Sequence, residues 1–155
     1  MTDSFTMEHH ERLREEVRAF AETEIRPCVA DMETSRTVQH ELSHLIAEQG
    51  WIGVTIDPEY GGMGLGHLAK TIIIEELSRV SGAMGAMVQA SQLGVAKILH
   101  FGDETQKKSW LPAVADGSCL PTIAVTEEES GGHVLGMTAL SLIHISEPTR
   151  RTPIS

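Results

Sequence analysis

Residues 50–65 read GWIGVTIDPEYGGMGL, and this stretch decides how the rest of the chain is arranged. It cannot be one helix, because Asp57-Pro58 and the five glycines from Gly53 to Gly66 force irregular backbone. Segments with helical periodicity lie on both sides of it. Upstream, Val38, Leu42, Leu45 and Ile46 follow i, i+4, i+7, i+8 and predict a helix over about 38–49, with Gly50 as its stop. Downstream, Leu68, Ile72, Glu75–Glu76 and Leu77 predict a helix over about 67–80.

Further out, Leu13, Val17, Phe20 and Ile25 predict a first helix over 7–26, which Pro27 is expected to kink or end. Residues 31–37 are polar and read as a connection. The segment from Gly82 to His100 is built of Ala, Gly, Ser and Met, so it reads as a helix buried among close neighbours. Met84 and Met87 read as gap-filling core. Asp103 with Gln106 three residues on forms a capping-box pattern for a fifth helix. Trp110, Leu111 and Val114 supply the apolar side of that helix. Pro112 is expected to tilt or shorten it, and Asp116-Gly117 to end it. Residues 119–126, CLPTIAVT, then switch to β-favouring types and predict a strand. The fold class expected is mainly α: an up-and-down helical domain over 1–117, then the truncated start of a β domain over 118–139. An unpaired strand there would carry unsatisfied backbone groups and fray or aggregate.

Bulk properties narrow the function. The chain has 155 residues, with 12 Lys and Arg against 22 Asp and Glu, giving a net charge of −10. Such a balance without a basic stripe does not suit nucleic acid or an anionic membrane surface. Gln89, Ser91, Gln92 and Lys97 interrupt the least polar stretch, so no membrane span is expected. The N-terminus has no apolar run of the secretory kind. Cys28 and Cys119 are far apart with no C-x-x-C, which suits a reducing, cytoplasmic location.

Three motifs compete for chemistry. His40-Glu41-Leu42-Ser43-His44 satisfies H-E-x-x-H, the pattern of zinc hydrolases in which two histidines bind metal and the glutamate is the base. On a helical wheel, however, His40 and His44 fall on the side opposite the apolar stripe, so they read as solvent-facing. The glycines at 61, 62, 64 and 66 miss the third glycine of G-x-G-x-x-G, with His67 in its place, and lack the Gly-Lys-Ser/Thr of a P-loop. They read as a structural turn. Val125-Thr126-Glu127 before Ser130-Gly131-Gly132 places a hydroxyl and open N–H groups where a cofactor's polar edge could be received.

Three segments together resemble the acyl-CoA dehydrogenase family: residues 50–65, residues 100–118 (HFGDETQKKSWLPAVADGS) and residues 123–139. The resemblance implies an FAD-dependent oxidoreductase much longer than this chain. In that family a helical domain, a β domain and a C-terminal helical bundle enclose FAD and an acyl-CoA thioester. A carboxylate removes the α proton, and the β hydrogen passes to the flavin as hydride. The base comes from the C-terminal bundle, so no catalytic residue is expected here. Electrons leave through an electron-transfer flavoprotein, and the family forms homo-oligomers.

By the same resemblance, Ile123, Val125 and Thr126 match positions that meet the flavin. Glu127 and Gly131 keep the family pattern. Glu128, Gly132 and His133 depart from its proline, serine and aspartate, leaving Gly132 only its backbone for the substrate. Three consecutive carboxylates at 127–129 would repel an anionic cofactor unless they point outward. The helix around Met84 to Ser91 matches the wall beside the acyl chain. The chain alone is expected to be inactive and to bind FAD weakly or not at all. Alternatives are a related flavin oxidase or monooxygenase of the same fold, and a non-catalytic helical interaction module. Residues 140–150, LSLIHISEPTR, resemble the translation of a transposase adapter used in making sequencing libraries, so 140–155 is expected to be a non-native tail.

Overall fold

A computed structural model describes residues 7–128, 130–137, 141–142 and 145–146. Glu129 and most of the 140–155 tail, on which expectations were placed above, lie outside these residues. The chain divides into two compact units, residues 1–122 and 123–155. The first is mainly α, as the periodicity predicts.

Helix α1 (Met7–Phe20) buries Leu13 and Val17, and the line continues through Ala21 and Ile25, each four residues on. Pro27 does not end this arm. A wide π turn at Ala21–Ile25 and a tight turn at Arg26–Cys28 lead directly into α2 (Val29–Ser35), which replaces the expected loop at 31–37. Pro27 opens the tight turn, where its missing N–H costs no helical hydrogen bond. Arg36, in the left-handed region at φ 55°, closes α2.

Helix α3 (His40–Glu48) starts two residues later than predicted, because Gln39 is extended, and Val38 is left at the surface. Leu42 and Ile46 enter the core as expected, and Gly50 at φ 78° ends the helix. The stretch after it is irregular yet central. Trp51, Ile52, Val54, Ile56 and Tyr60 are all buried. Buried loop backbone must find partners, and here the loop folds on itself. Met63 N donates to Gly53 O, Gly64 N to Ile56 O and Leu65 N to Val54 O, at 3.1, 2.8 and 2.9 Å. Trp51 meets Phe20 edge to face, with ring centroids 5.0 Å apart, which fixes the loop to α1.

Helix α4 (Gly66–Val80) turns Ala69, Ile72, Ile73, Glu76, Leu77 and Val80 inward, an i, i+3, i+4 stripe. Leu68, expected on that stripe, is 56 % exposed. Helix α5 (Gly82–Phe101) packs on α4 so closely that a Cβ at Gly85 would lie 1.9 Å from Ser78 Oγ. It is not wholly buried as predicted, since Leu93 and Phe101 face outward. Helix α6 (Glu104–Ala115) has the predicted capping box: Gln106 N donates to Asp103 Oδ1 at 2.8 Å, and Asp103 N to Gln106 Oε1 at 2.9 Å. Pro112 sits inside α6 without ending it. Leu111 and Val114 are buried, whereas Trp110 is not.

The strand predicted over 119–126 is not formed. Cys119 N donates to Ala113 O, so the chain hooks onto the end of α6, and Pro121 packs against Gly94. Proline has no N–H for a ladder, and none of the described residues supplies a neighbouring strand. In the second unit, Glu127 and Ser130 exchange backbone hydrogen bonds of 3.0 and 3.2 Å in an isolated bridge. Beyond it, β1 (Ser141–Leu142) pairs antiparallel with β2 (Ile145–Ser146). No helix among the described residues is long and apolar enough to cross a membrane.

Candidate functional site

The residues expected to meet a flavin lie at the start of the second unit. Residues 123–126 have no regular secondary structure, and no hydrogen bond among the described residues engages them. Ile123 and Thr126 are exposed, and Val125 is half-buried. Their N–H, C=O and hydroxyl groups are therefore unspent, which fits the polar rim of a planar ligand such as a flavin. Ser130 anchors the turn that follows: it is 1 % exposed and donates its hydroxyl to His133 O at 2.5 Å. Gly131 and Gly132 are open, and a Cβ at either would meet nothing within 4 Å. Space therefore does not require glycine at 132; a serine would fit there.

His40 and His44 are both exposed on α3, as the wheel predicted, and no group of three or more potential metal ligands occurs among the described residues. The glycine turn at 61–66 is structural. Gly62 packs against the Ile56 backbone, and Gly61 and Gly66 take left-handed conformations.

In the helical unit, a cleft of about 400 Å³ opens between the 50–65 loop, the start of α4, the second half of α5 and the start of α6. At its base Gln92, 4 % exposed, accepts a 2.6 Å hydrogen bond from Thr55 Oγ1 and donates its amide to Ile52 O. To one side Tyr60 Oη donates to Glu104 Oε2 at 2.9 Å. That bond first, then burial, pushes the Tyr60 phenol up to about 12. The same bond, with Lys107 beside it, holds the Glu104 carboxyl below its usual range. The sequence reading missed this cleft because its residues are spread over four elements. A buried-helix amide at Gln92 and the sole tyrosine were the available signals.

Because Tyr60 is the only tyrosine, the ultraviolet absorbance of phenolate reads one group. Changing Glu104→Gln removes the charge that stabilises the protonated phenol. The midpoint is then expected to fall from about 12 toward the ordinary 10. An unchanged midpoint in a folded variant would show that the pair does not persist in solution.

A family model described as the acyl-CoA dehydrogenase N-terminal domain matches residues 7–118. The mitochondrial isovaleryl-CoA dehydrogenase of Bos taurus is 33 % identical over 133 residues, covering 84 % of this chain and 31 % of that protein. An acyl-CoA dehydrogenase of Bacillus subtilis is 34 % identical over 120 residues, covering 77 % and 32 %. The glutaryl-CoA dehydrogenase of Mycobacterium smegmatis, solved in complex with FADH2, superposes with a TM-score of 0.81 at 26 % identity, covering 89 % of this chain and 36 % of that one. The chain thus spans about a third of the length of the relatives it matches. With its helical order, its buried 50–65 loop and this match in place, the chain belongs to the acyl-CoA dehydrogenase family, whose N-terminal domain occupies residues 7–118.

Proposed function

We propose that this chain forms the helical wall and the first flavin-contacting segment of an FAD-dependent enzyme that oxidises an acyl-CoA thioester to its 2,3-enoyl-CoA. The observation that carries this reading is the unspent edge at 123–126, a few residues after the 7–118 match to the family's N-terminal domain. Bound FAD would supply hydride acceptance. Ile123 and Val125 would hold its ring through backbone groups, and Thr126 through its hydroxyl. The backbone N–H of Gly132 would face the substrate, where the family carries a serine. Residues 84–91 of α5 would line the acyl chain; Ala86 is exposed, and Gln89 and Ala90 are half-buried, on the face turned away from Met84 and Val88. The small side chains of Ala86 and Ala90 leave room there for an aliphatic tail.

No acidic residue of this chain is assigned as the base, so the 155-residue chain is expected to be inactive by itself. The substrate is an acyl-CoA, the electron acceptor an electron-transfer flavoprotein, the assembly a homo-oligomer and the location the cytoplasm. A chimera tests the reading. Residues 7–139 replace the aligned segment of the Bacillus subtilis relative, and flavin content and acyl-CoA-dependent dye reduction are measured. The chimera should purify yellow and turn over, and Thr126→Val should reduce its flavin occupancy. A folded chimera without flavin would overturn the proposal; a stoichiometric yellow complex of the isolated chain would overturn only the expectation that this chain alone binds FAD weakly or not at all.

A further inference from the structure

The chain leaves the helical unit through residues 118–122, and two anchors fix that exit. The first is the end of α6. The last carbonyls of a helix lack partners within it. Ala113 O is one of these, and it accepts from Cys119 N at 2.8 Å and from Ser118 Oγ at 3.0 Å. Ser118 N donates to Asp116 Oδ1 at 2.8 Å. The second anchor is Gly94, buried on α5. A Cβ there would lie 2.7 Å from Pro121 Cβ, 3.0 Å from Pro121 C and 3.2 Å from Pro121 Cγ. Pro121 thus rests directly on the helix backbone.

The helix itself gains nothing from this glycine. Glycine in a helix interior is less stable than alanine, and Gly94 is not among the glycines with positive φ. The close approach of Pro121 is what requires it. Gly85, on the same helix, serves helix packing, because a Cβ there would meet Ser78 and Ile74 of α4. Gly94 instead meets a segment without regular structure that runs on into residues 123–126. A proline ring fixes its own φ and restricts the residue before it, so the segment reaches this seat with few conformations open to it.

We propose that Gly94 is a positioning residue: it seats Pro121 and so fixes where the edge carrying Ile123, Val125 and Thr126 begins. The consequence for FAD rests on the flavin reading above, whereas the seat itself belongs to the helical unit alone.

Two experiments separate these parts. In the intact chain carrying Cys28→Ser, the half-buried Cys119 is the one thiol left. Gly94→Ala should push Pro121 off its seat and raise the rate of Cys119 alkylation by N-ethylmaleimide about tenfold. The thermal midpoint should stay the same or rise, because alanine favours the helix. An unchanged rate, or a lowered midpoint, overturns the proposal. In the chimera containing residues 7–139, stripped of flavin and titrated with FAD, Gly94→Ala should weaken FAD about tenfold and shift the flavin absorption bands. In a Pro121→Gly chimera, which has no ring to displace, the same substitution should change FAD affinity less than about twofold, as expected of two residues that act through one contact. Equal loss in both backgrounds, or loss in neither, overturns the positioning role. A chimera that takes up no flavin before any substitution overturns the flavin reading instead, and the seat then stands or falls on the Cys119 rate.

Discussion

Glu76→Ala should lower the stability of the helical unit by up to about 3 kcal/mol at neutral pH and should abolish most of its loss between pH 4.5 and pH 2. Glu76 lies on the buried stripe of α4 and is 1 % exposed. Arg14 Nη1 reaches its Oε1 at 2.7 Å, Arg18 Nη2 the same oxygen at 2.9 Å, Arg18 Nε its Oε2 at 2.9 Å and Arg79 Nε its Oε2 at 3.1 Å. A carboxylate in that position would be expelled by desolvation if it stood alone. The Arg18 bonds first, against the opposing effect of burial and with help from Arg14, hold its pKa down from 4.5 to about 2.

A depressed carboxylate stabilises the fold above its unfolded value and ceases to do so as pH falls through its folded value. The Glu76 contribution is thus complete above about pH 4.5 and is lost on the way to about pH 2. A shift of that size corresponds to about 3 kcal/mol, which is a ceiling because Arg18 and Arg79 are half-exposed and partly hydrated. Replacement by methionine separates charge from packing. A similar volume of apolar atoms often replaces a buried ion pair at little cost. The arginines left behind can hydrate, and Glu75 and Glu22 still serve Arg14 and Arg79. Glu76→Met should therefore cost less than Glu76→Ala. Urea unfolding of the three proteins at pH 7 and pH 3 decides the matter; equal pH dependence in the alanine variant and the parent would show that another group carries the acid transition.

The parts of this fold that were legible in the sequence are those governed by short-range rules. The Asp103–Gln106 capping box needs only residues three apart, and Gly50 needs only its own backbone preference. The α3 wheel correctly turned His40 and His44 outward. Pro27 interrupts the helix with a tight turn, the milder of the two outcomes expected of it, and the arm continues as α2. Where the outcome depended on distant partners, the local signal misled. Leu68 and Trp110 follow an apolar pattern yet remain exposed, because none of the described elements of the first unit covers them. Residues 119–126 have strand composition, but a strand exists only with a neighbour to pair with. The Glu76 cluster was least legible: it joins residues about 60 positions apart, and its glutamate was visible only as an acid out of place on an apolar stripe.

The 50–65 loop carries the second large effect. Gly62→Ala should destabilise the unit by about 3 kcal/mol or more, because the added methyl has no free volume. A Cβ there would lie 2.2 Å from Ile56 O, 2.4 Å from Ile56 Cβ and 2.6 Å from Ile56 C. Two of these atoms are main chain, so no side-chain rotation relieves the clash. Ile56 is fully buried and its carbonyl accepts from Gly64 N at 2.8 Å, so moving it breaks the hydrogen bonds that keep the loop in the core. Gly66→Ala is the matched control. Gly66 has φ +78°, but a Cβ there would meet nothing within 4 Å. Its substitution should cost only the left-handed penalty of about 1–2 kcal/mol. The two variants make the same chemical change within one turn, so a denaturation midpoint lowered far more by Gly62→Ala isolates steric packing from backbone preference. Equal midpoints would mean that residues 53–64 relax freely, and the loop would then be a cover on the helices instead of part of the core that orders them.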